Sequence, residues 1–487
     1  MKIIQHSVKQ SDLPIRILQF GEGNFLRAFV DQMVDEANQK TFFNGSIVIV
    51  KPRAGGDLSL FEKQNSLFTV YRRGKESGKL VLMPQAVSCV KKVLHCYDNY
   101  EEYMALAELP SLEFIISNTT EAGIVFSSND TFDMRPPVSF PAKVAQWLYR
   151  RFTYFSGDPE KGIIFLPTEL IENNGGELKS CILRYGELWE LGADFLHWVE
   201  EACTFCSTLV DRIVTGYPQD DSVCFQELGY EDALLDVAEP FGFWAIEKKG
   251  NVAERFPLDK AGLPVLFTSD ITPYRERKVR VLNGAHTGTA MAGYLAGVDT
   301  VGECMEDGII RRYMEKLVQT ELAPTVPLPR EEVDSFVKST FERFENPYLH
   351  HSLLSIALNS VSKWRARLLP SLKDYMRKAG VLPLCVVFSF AALLQFYSGK
   401  GSRMQGENKK AIRDEDFVLA FFEAHTEDSS HKLAHAAASE ISFWGEDLSC
   451  LPGFADMAGN WLAVIRKEGM RCAMEKLLHA IEEEADV

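Results

Sequence analysis

The sequence predicts an α/β N-terminal domain with a mostly parallel sheet, followed by an all-α C-terminal domain. In the first half, short apolar runs alternate with amphipathic helical stretches. This alternation is typical of a parallel sheet with crossover helices. From about Val279 onward, the apolar residues follow a helical spacing almost throughout. We therefore expect domains at 1–265 and 266–487.

The predicted strands of the first domain are short apolar runs, the second of them rich in β-branched residues. Glycine follows the first strand, and a run of polar residues follows the third. The strands are predicted at Ile15–Phe20, 46–50, 112–117 and 162–166, with helices at 26–39 and 141–152 between them.

The second domain is predicted as a series of helices separated by polar stretches. These helices are predicted at 281–296, 331–344, 353–369, 383–397 and 414–424, with an exposed loop at 398–414.

Composition excludes several classes of protein. The 487 residues carry a formal charge of −16, which argues against nucleic acid as the main partner. The longest apolar run, 381–397, is shorter than the ~20 residues of a membrane span and contains Pro383, so no membrane partner is expected. The polar start and the ten scattered cysteines favour a cytoplasmic protein with reduced thiols.

A glycine motif, Gly21-Glu22-Gly23-Asn24-Phe25, joins the first predicted strand directly to a helix. Glycine lets the backbone approach a pyrophosphate, and the helix N-terminus attracts its charge. The third glycine of the usual fingerprint is replaced by Leu26, and an ordinary tight turn is the alternative. In this context the motif predicts a Rossmann-type dinucleotide site. Its predicted cofactor-binding residues are Phe20, Gly21, Gly23, Asn24 and Phe25.

The end of the second strand leaves the choice between NAD and NADP open. No acidic residue follows Val50, where one would bind the adenosine ribose. Asp57 lies further along the same loop, whereas Lys51 and Arg53 would favour a 2′-phosphate.

A polar loop, 117–123, follows the third strand, at the sheet edge where open α/β sheets bind ligands. Asn118, Thr119 and Thr120 fit the nicotinamide-ribose side of a cofactor. The same residue types also begin helices, so a helix cap is the alternative.

Lys278, Asn283 and His286 are spaced by five and three residues near the start of the second domain. With Lys278 at the helix entrance, all three would face one pocket. A lysine can act as a general acid or base, and an amide can donate to a developing alkoxide. Residue types alone favour the alternative of a solvated lysine, a capping asparagine and a structural histidine.

Together these motifs resemble the polyol-specific long-chain dehydrogenases, the mannitol dehydrogenase family. The resemblance runs along nearly the whole chain and includes the segments 208–213, 239–241 and 346–347, with Trp244, Pro273-Tyr274 and Lys363.

The resemblance implies a zinc-independent, NAD-dependent hydride transfer at a secondary alcohol carbon of a sugar acid, which is the expected small-molecule partner. It implies Lys278 as the acid/base, Asn283 in the oxyanion hole and His286 on the substrate hydroxyls. No metal site is expected, and the oligomeric state stays open. Another polyol or sugar-acid substrate, a non-catalytic dinucleotide sensor and a helical scaffold are the alternatives.

The chain departs from the mannitol-type members at two positions. Leu170 stands where they carry a second oxyanion donor, a role that Asn173 or Asn174 would have to take over. Ser355 stands where they carry a substrate-binding arginine, while the partner lysine is kept as Lys363. A sugar-acid carboxylate needs a cation, for which Lys363, Arg275 and Arg277 are the candidates.

Overall fold

The computed structural model describes residues 2–120, 122–399 and 412–485. The chain forms two compact units, Met1–Gly74 with Leu80–Ile271, and Lys75–Lys79 with Thr272–Val487. The expected boundary after residue 265 falls inside the strand Val265–Thr268, which belongs to the first unit. Most of the loop predicted at 398–414 lies outside the described residues.

The first unit is organised around a six-stranded sheet in which all five strand pairings are parallel. Phe20 is in register with Val50 on one side and with Ser117 on the other. The strands lie in the spatial order Val90–His95, Ser46–Lys51, Ile15–Phe20, Phe114–Ser117, Ile164–Pro167 and Thr204–Phe205. The predicted parallel sheet is confirmed.

Both faces of this sheet are buried. Ile17 and Ile49 belong to one hydrophobic core, and their neighbours Leu18 and Val50 belong to the other. Successive side chains of a strand point to opposite faces, so a sheet covered on both sides requires continuous apolar strands. This pattern of continuous apolar residues allowed these strands to be predicted from the sequence.

Helices cover the sheet, and three smaller sheets that the sequence did not predict complete the unit. Seven of their nine strands have only two to five residues, whereas Phe68–Glu76 and Lys79–Val87 have nine residues each. The helical segments are Asn24–Leu26, Arg27–Asp31 (a π turn), Gln32–Gln39, Ser59–Lys63, Tyr100–Ala105, Phe140–Tyr154, Asn174–Leu188, Ala193–Glu201, Asp221–Leu228 and Val252–Arg255. The additional strands are Lys2–Ile3 with Tyr230–Glu231; Thr208–Asp211, Phe243–Glu247 and Val265–Thr268; and Val214–Gly216, Asp236–Ala238, Phe68–Glu76 and Lys79–Val87.

The second unit is helical, as predicted. Within the described part of residues 272–485, the one strand-type pairing is the bridge between Thr300 and Ser352. No helix in the described residues is long and apolar enough to cross a membrane. The helical segments are Thr272–Arg277, Lys278–Asn283 (π), Gly284–Ala296, Val301–Glu306, Gly308–Lys316, Leu317–Leu322 (π), Arg330–Phe344, Leu353–Ile356, Ser360–Arg367, Leu369–Ala379, Leu384–Tyr397, Asp416–Ala424, Ser430–Ser439, Ile441–Trp444, Phe454–Glu468 and Met470–Ala485.

The single helix predicted at 353–369 is wrong. The segment forms two helices, Leu353–Ile356 and Ser360–Arg367, separated by Asn359 in the left-handed conformation with a φ of 52°. Asparagine adopts this conformation more readily than other non-glycine residues. The apolar spacing continues across the break, and so the sequence pattern conceals it.

The core of the second unit contains the helix Leu384–Tyr397, which is buried from Cys385 to its end. The buried carboxylate of Glu321 accepts the N–H groups of Cys385 and Val386, at 2.8 and 2.9 Å. It thereby satisfies donors that a helix start leaves without intrahelical partners. Burial outweighs these hydrogen bonds and raises the pKa of Glu321 to about 7.

Because the pKa of Glu321 is higher in the folded than in the unfolded chain, its ionisation destabilises the fold. The stabilising contribution should be complete below about pH 4.5 and be lost as the pH rises through about 7, by roughly 3 kcal/mol at most. Glu321→Gln keeps a carbonyl acceptor but cannot ionise. We expect urea unfolding at pH 5 and pH 8 to show a smaller difference for Glu321→Gln than for the parent chain, and an equal difference would contradict this.

Candidate functional site

The glycine turn follows the strand Ile15–Phe20 at the carboxyl edge of the central sheet. Gly21 has a φ of 126°, and a Cβ there would lie 3.2 Å from the carbonyl oxygen of Asn118. Its N–H donates to the carbonyl of Val50 at 3.0 Å. Both the conformation and the close approach require glycine at this position.

The helical segment 24–39 begins immediately after this turn, with Gly23 as its N-cap. Within the described residues no side chain caps this start, and a Cβ at Gly23 would have no neighbour within 4 Å. The N–H groups of the first turn therefore present the positive end of the helix to open space. This arrangement fits the diphosphate of a dinucleotide.

The side chains predicted to bind the cofactor have different surroundings. The ring of Phe20 packs in the core against Tyr103 and Phe140, with ring centroids 6.0 and 5.0 Å away, so only its main chain is available at the edge. Phe25 stacks on Phe29 at 5.1 Å. Asn24 accepts a hydrogen bond of 2.7 Å from Arg27.

Arg27 holds this first helical turn in place through several contacts. Its buried guanidinium also donates to the carbonyl of Leu234 at 2.5 Å and lies 3.4 Å from Asp236. Burial raises the pKa of Asp236 to about 7, and the charge of Arg27 opposes this rise. Arg27 therefore fixes Asn24 while its own charge is compensated.

The charged groups at the end of the second strand pair locally. Lys51 forms an ion pair with Glu22, the residue between the two glycines. Asp57 accepts the N–H and the hydroxyl of Ser59, both at 2.8 Å. The charge of Lys51 is thus compensated beside the glycine turn.

The loop 117–123 is held by a buried carboxylate that the sequence argument did not single out. Glu169 accepts the hydroxyl of Ser117 at 3.1 Å, and the N–H and hydroxyl of Thr119 at 2.9 and 2.8 Å. Burial raises the pKa of Glu169. Asn118 donates to the hydroxyl of Thr168 at 2.9 Å, and Thr120 has a φ of 84°. Glu121 lies outside the described residues.

Two asparagines stand near Leu170, where the family pattern predicts a second oxyanion donor. The amide of Asn174 donates to the carbonyls of Pro167, Glu169 and Thr208 at 3.0, 3.0 and 3.1 Å, so it serves the main chain. Asn173 accepts the hydroxyl of Ser207 at 3.1 Å. Asn173 is therefore the better candidate of the two.

In the second unit, the predicted catalytic residues lie within one helical run, 272–296. This run begins at Thr272, so the expectation that Lys278 stands at a helix entrance is wrong. Instead, Lys278–Asn283 forms a π turn, closed by the N–H of Gly284 bonding to the carbonyl of Val279. Hydrogen bonds in a π turn join residues five apart. Lys278 and Asn283 therefore come close to one face, whereas an α-helix would separate them by about 140°.

His286 follows Asn283 by three residues and lies on the same side of the helix. Its ring stacks on Phe344, with centroids 4.5 Å apart, and meets the ring of His351 edge-on at 4.8 Å. Burial and the nearby charge of Lys363 lower the pKa of His351. The structure thus brings the predicted residues His286 and Lys363 into one neighbourhood.

The cations of this region differ in their partners. Lys363 donates to the carbonyl of Ile356 at 2.9 Å. Arg367, which the sequence argument missed, donates to the hydroxyl of Thr287 at 3.1 Å. The only signal for it was its position four residues after Lys363. Arg275 lies one turn before Lys278 in the same run.

The guanidinium of Arg277 faces the rings of Phe336 and Tyr274, at 4.4 and 5.3 Å. Within the described residues, no group of three His, Cys, Asp or Glu side chains could hold a metal ion.

Two family models match the chain. The mannitol dehydrogenase Rossmann domain matches residues 15–260, and the mannitol dehydrogenase C-terminal domain matches residues 270–464. Curated relatives named altronate oxidoreductase are similar over almost their full length. The protein from Klebsiella pneumoniae is 42% identical over 95% of this chain and 97% of its own, and the one from Escherichia coli is 41% identical over the same shares.

Two solved structures share the fold. D-sorbitol dehydrogenase in its substrate-free form matches with a TM-score of 0.79 and 21% identity, over 95% of both chains. Pseudomonas fluorescens mannitol 2-dehydrogenase, in a ternary complex with NAD and D-mannitol, matches with a TM-score of 0.69 and 21% identity, over 96% of this chain and 95% of its own.

Glu169→Ala should destabilise the first unit and loosen the loop 117–123, because it leaves the N–H and hydroxyl of Thr119 without their acceptor. We expect the free energy of unfolding to fall by about 2–4 kcal/mol and amide exchange at Thr119 to accelerate. The exposed Glu177 provides the control, since Glu177→Ala should change stability by no more than about 0.5 kcal/mol. Equal effects of the two substitutions would show that Glu169 does not hold the loop.

Proposed function

We propose that this chain, which belongs to the mannitol dehydrogenase family, is an NAD-dependent oxidoreductase that reversibly reduces D-tagaturonate to D-altronate. The observation that carries the proposal is the π turn, which puts Lys278 and Asn283 on the face of the helix that His286 shares. The altronate oxidoreductase relatives, 41–42% identical over 95% of the chain, support the choice of substrate.

The three side chains have complementary roles in reducing a carbonyl. Lys278 donates a proton to the carbonyl oxygen, and Asn283 donates an amide hydrogen bond to the same oxygen as negative charge develops on it. His286, held between Phe344 and His351, binds the substrate hydroxyls. Bound NADH supplies the hydride for the carbonyl carbon.

The first unit holds the cofactor. Main-chain N–H groups of the glycine turn bind the diphosphate, and Asn118, Thr119 and Thr120 form the nicotinamide-ribose side of the site. The ion pair between Lys51 and Glu22 favours NAD, because the lysine charge that would attract a 2′-phosphate is already compensated. Asn173 serves as the second oxyanion donor, and Lys363 and Arg275 bind the substrate.

The substrate proposal is tested by following NADH oxidation with D-tagaturonate and D-fructuronate side by side, and by repeating the active pair with NADPH. Turnover with tagaturonate and NADH is the expected result. Turnover with fructuronate alone would keep the reaction class and overturn the substrate. NADH binding without turnover of either compound would point first to another polyol substrate and then to a non-catalytic sensor.

Lys278→Ala should lower kcat by about 100-fold or more, because it removes the general acid, while the Kd for NADH stays unchanged. Steady-state kinetics and a fluorescence titration of NADH measure the two quantities. Lys373, which forms an exposed ion pair with Glu446, provides the control, since Lys373→Ala should leave kcat unchanged. Full activity of Lys278→Ala would remove this lysine from the mechanism.

A further inference from the structure

Two cations, Lys363 and Arg367, lie one turn apart on the helix Ser360–Arg367. Both side chains are half-buried. Arg367 reaches Thr287, the residue that follows His286, and the charge of Lys363 acts on His351, whose ring contacts His286. The pair therefore lies near the proposed catalytic histidine, Arg367 through Thr287 and Lys363 through His351.

In the part of the chain that the structure describes, neither Lys363 nor Arg367 forms an ion pair with a carboxylate. Asp414 acts on Lys363 only as the weakest of three influences on its pKa. The carboxylate of Asp414 is itself bonded to the hydroxyl of Tyr397 and to the N–H of Val361.

The unfavourable burial of these two charges is reflected in the pKa values of Lys363 and Arg367. Burial lowers the pKa of Lys363, and the charge of Arg367 lowers it further. Burial also lowers the pKa of Arg367. Taking charges out of water without a counter-ion is unfavourable, so an anion that entered between these groups would be stabilised.

Two other arginines of this chain are compensated by acids. Arg27 lies beside Asp236, and Arg280 pairs with Glu276 at 3.0 Å and with Asp374 at 2.5 Å. The fully buried Arg151 instead donates four hydrogen bonds to main-chain carbonyls. Arg367 has neither arrangement, since its one hydrogen bond within the described residues goes to the hydroxyl of Thr287.

We propose that Arg367, together with Lys363, binds the carboxylate of the sugar-acid substrate. This inference rests on the proposed function. A guanidinium carries five N–H donors, and the one bond to Thr287 leaves others for a carboxylate in a paired geometry. Thr287 orients the guanidinium and links it to the helix that carries His286. Arg367 thus selects the acid over a neutral sugar.

The test compares Arg367→Gln with Arg365→Gln, on D-tagaturonate and on D-tagatose, which carries a hydroxymethyl group in place of the carboxylate. Arg365 is an exposed residue of the same helix whose guanidinium lies against Gly445. We expect Arg367→Gln to raise the KM for tagaturonate about 10- to 100-fold, with kcat little changed and the turnover of tagatose unaffected. Arg367→Lys should recover part of the loss, and Arg365→Gln should behave as the parent enzyme.

An equal loss on both substrates would overturn the clamp and make Arg367 a positioning residue for His286. An unchanged KM for tagaturonate would overturn it as well.

Calorimetric binding of D-altronate, with neutral altritol as reference, separates this inference from the proposed function. If the parent chain binds altronate without turning over tagaturonate, and Arg367→Gln abolishes the binding, the clamp stands and the proposed function fails. A parent chain that binds no altronate would overturn both.

Discussion

A parallel sheet buried on both faces can present polar groups only at its ends, and this constraint decides the architecture of the first unit. The strands Ile15–Phe20, Phe114–Ser117 and Ile164–Pro167 are adjacent and in register, so the residues that follow them meet at one edge. The first strand leads into the glycine turn, the second into the loop 117–123, and the third into Glu169. The ends of three neighbouring strands thus supply the glycine turn, the loop 117–123 and Glu169, the carboxylate that holds this loop.

Burying polar groups at such an edge is stable only when each has a partner. Glu169 meets the requirement with three hydrogen bonds from Ser117 and Thr119, Asn174 with main-chain carbonyls, and Arg27 with Asp236. The contacts of Glu169 and Arg27 join residues that are far apart in sequence, whereas Asn174 also bonds to the nearby Pro167. The glycine turn therefore keeps its shape through contacts that form only after the sheet has brought distant segments together.

The sequence was informative where one local rule decides the structure. Continuous apolar runs revealed the buried strands, and the glycine between strand and helix revealed the turn. It was not informative where the geometry depends on the type of helical turn or on the groups around a side chain, because residue spacing reveals neither. The spacing of Lys278 and Asn283 is ambiguous, because five residues place them together on a π turn and far apart on an α-helix. Similarly, Asn173 and Asn174 are chemically identical, and only the surrounding carbonyls distinguish the structural one. The break at Asn359 was hidden because apolar spacing continues across it. Arg367 was missed because its surroundings, in which no described carboxylate pairs with it, form only in the folded chain.

In the proposed site, the residues that carry out the reaction differ from those that select the substrate. In the proposed mechanism, Lys278, Asn283 and His286 provide chemistry that any secondary alcohol or ketone of suitable shape could use, so they specify the reaction more than the substrate. Selectivity requires groups whose interaction energy differs between a charged and a neutral substrate. In the proposed clamp, Lys363 and Arg367 have this property, since a neutral sugar leaves two half-buried cations that form no ion pair within the described residues, whereas a sugar acid supplies a negative charge. A site built around a charged group discriminates strongly against analogues that lack the matching group, because its own groups then stay unpaired. The proposal therefore places catalysis and selectivity on neighbouring helices of the second unit, which the hydrogen bond between Arg367 and Thr287 joins.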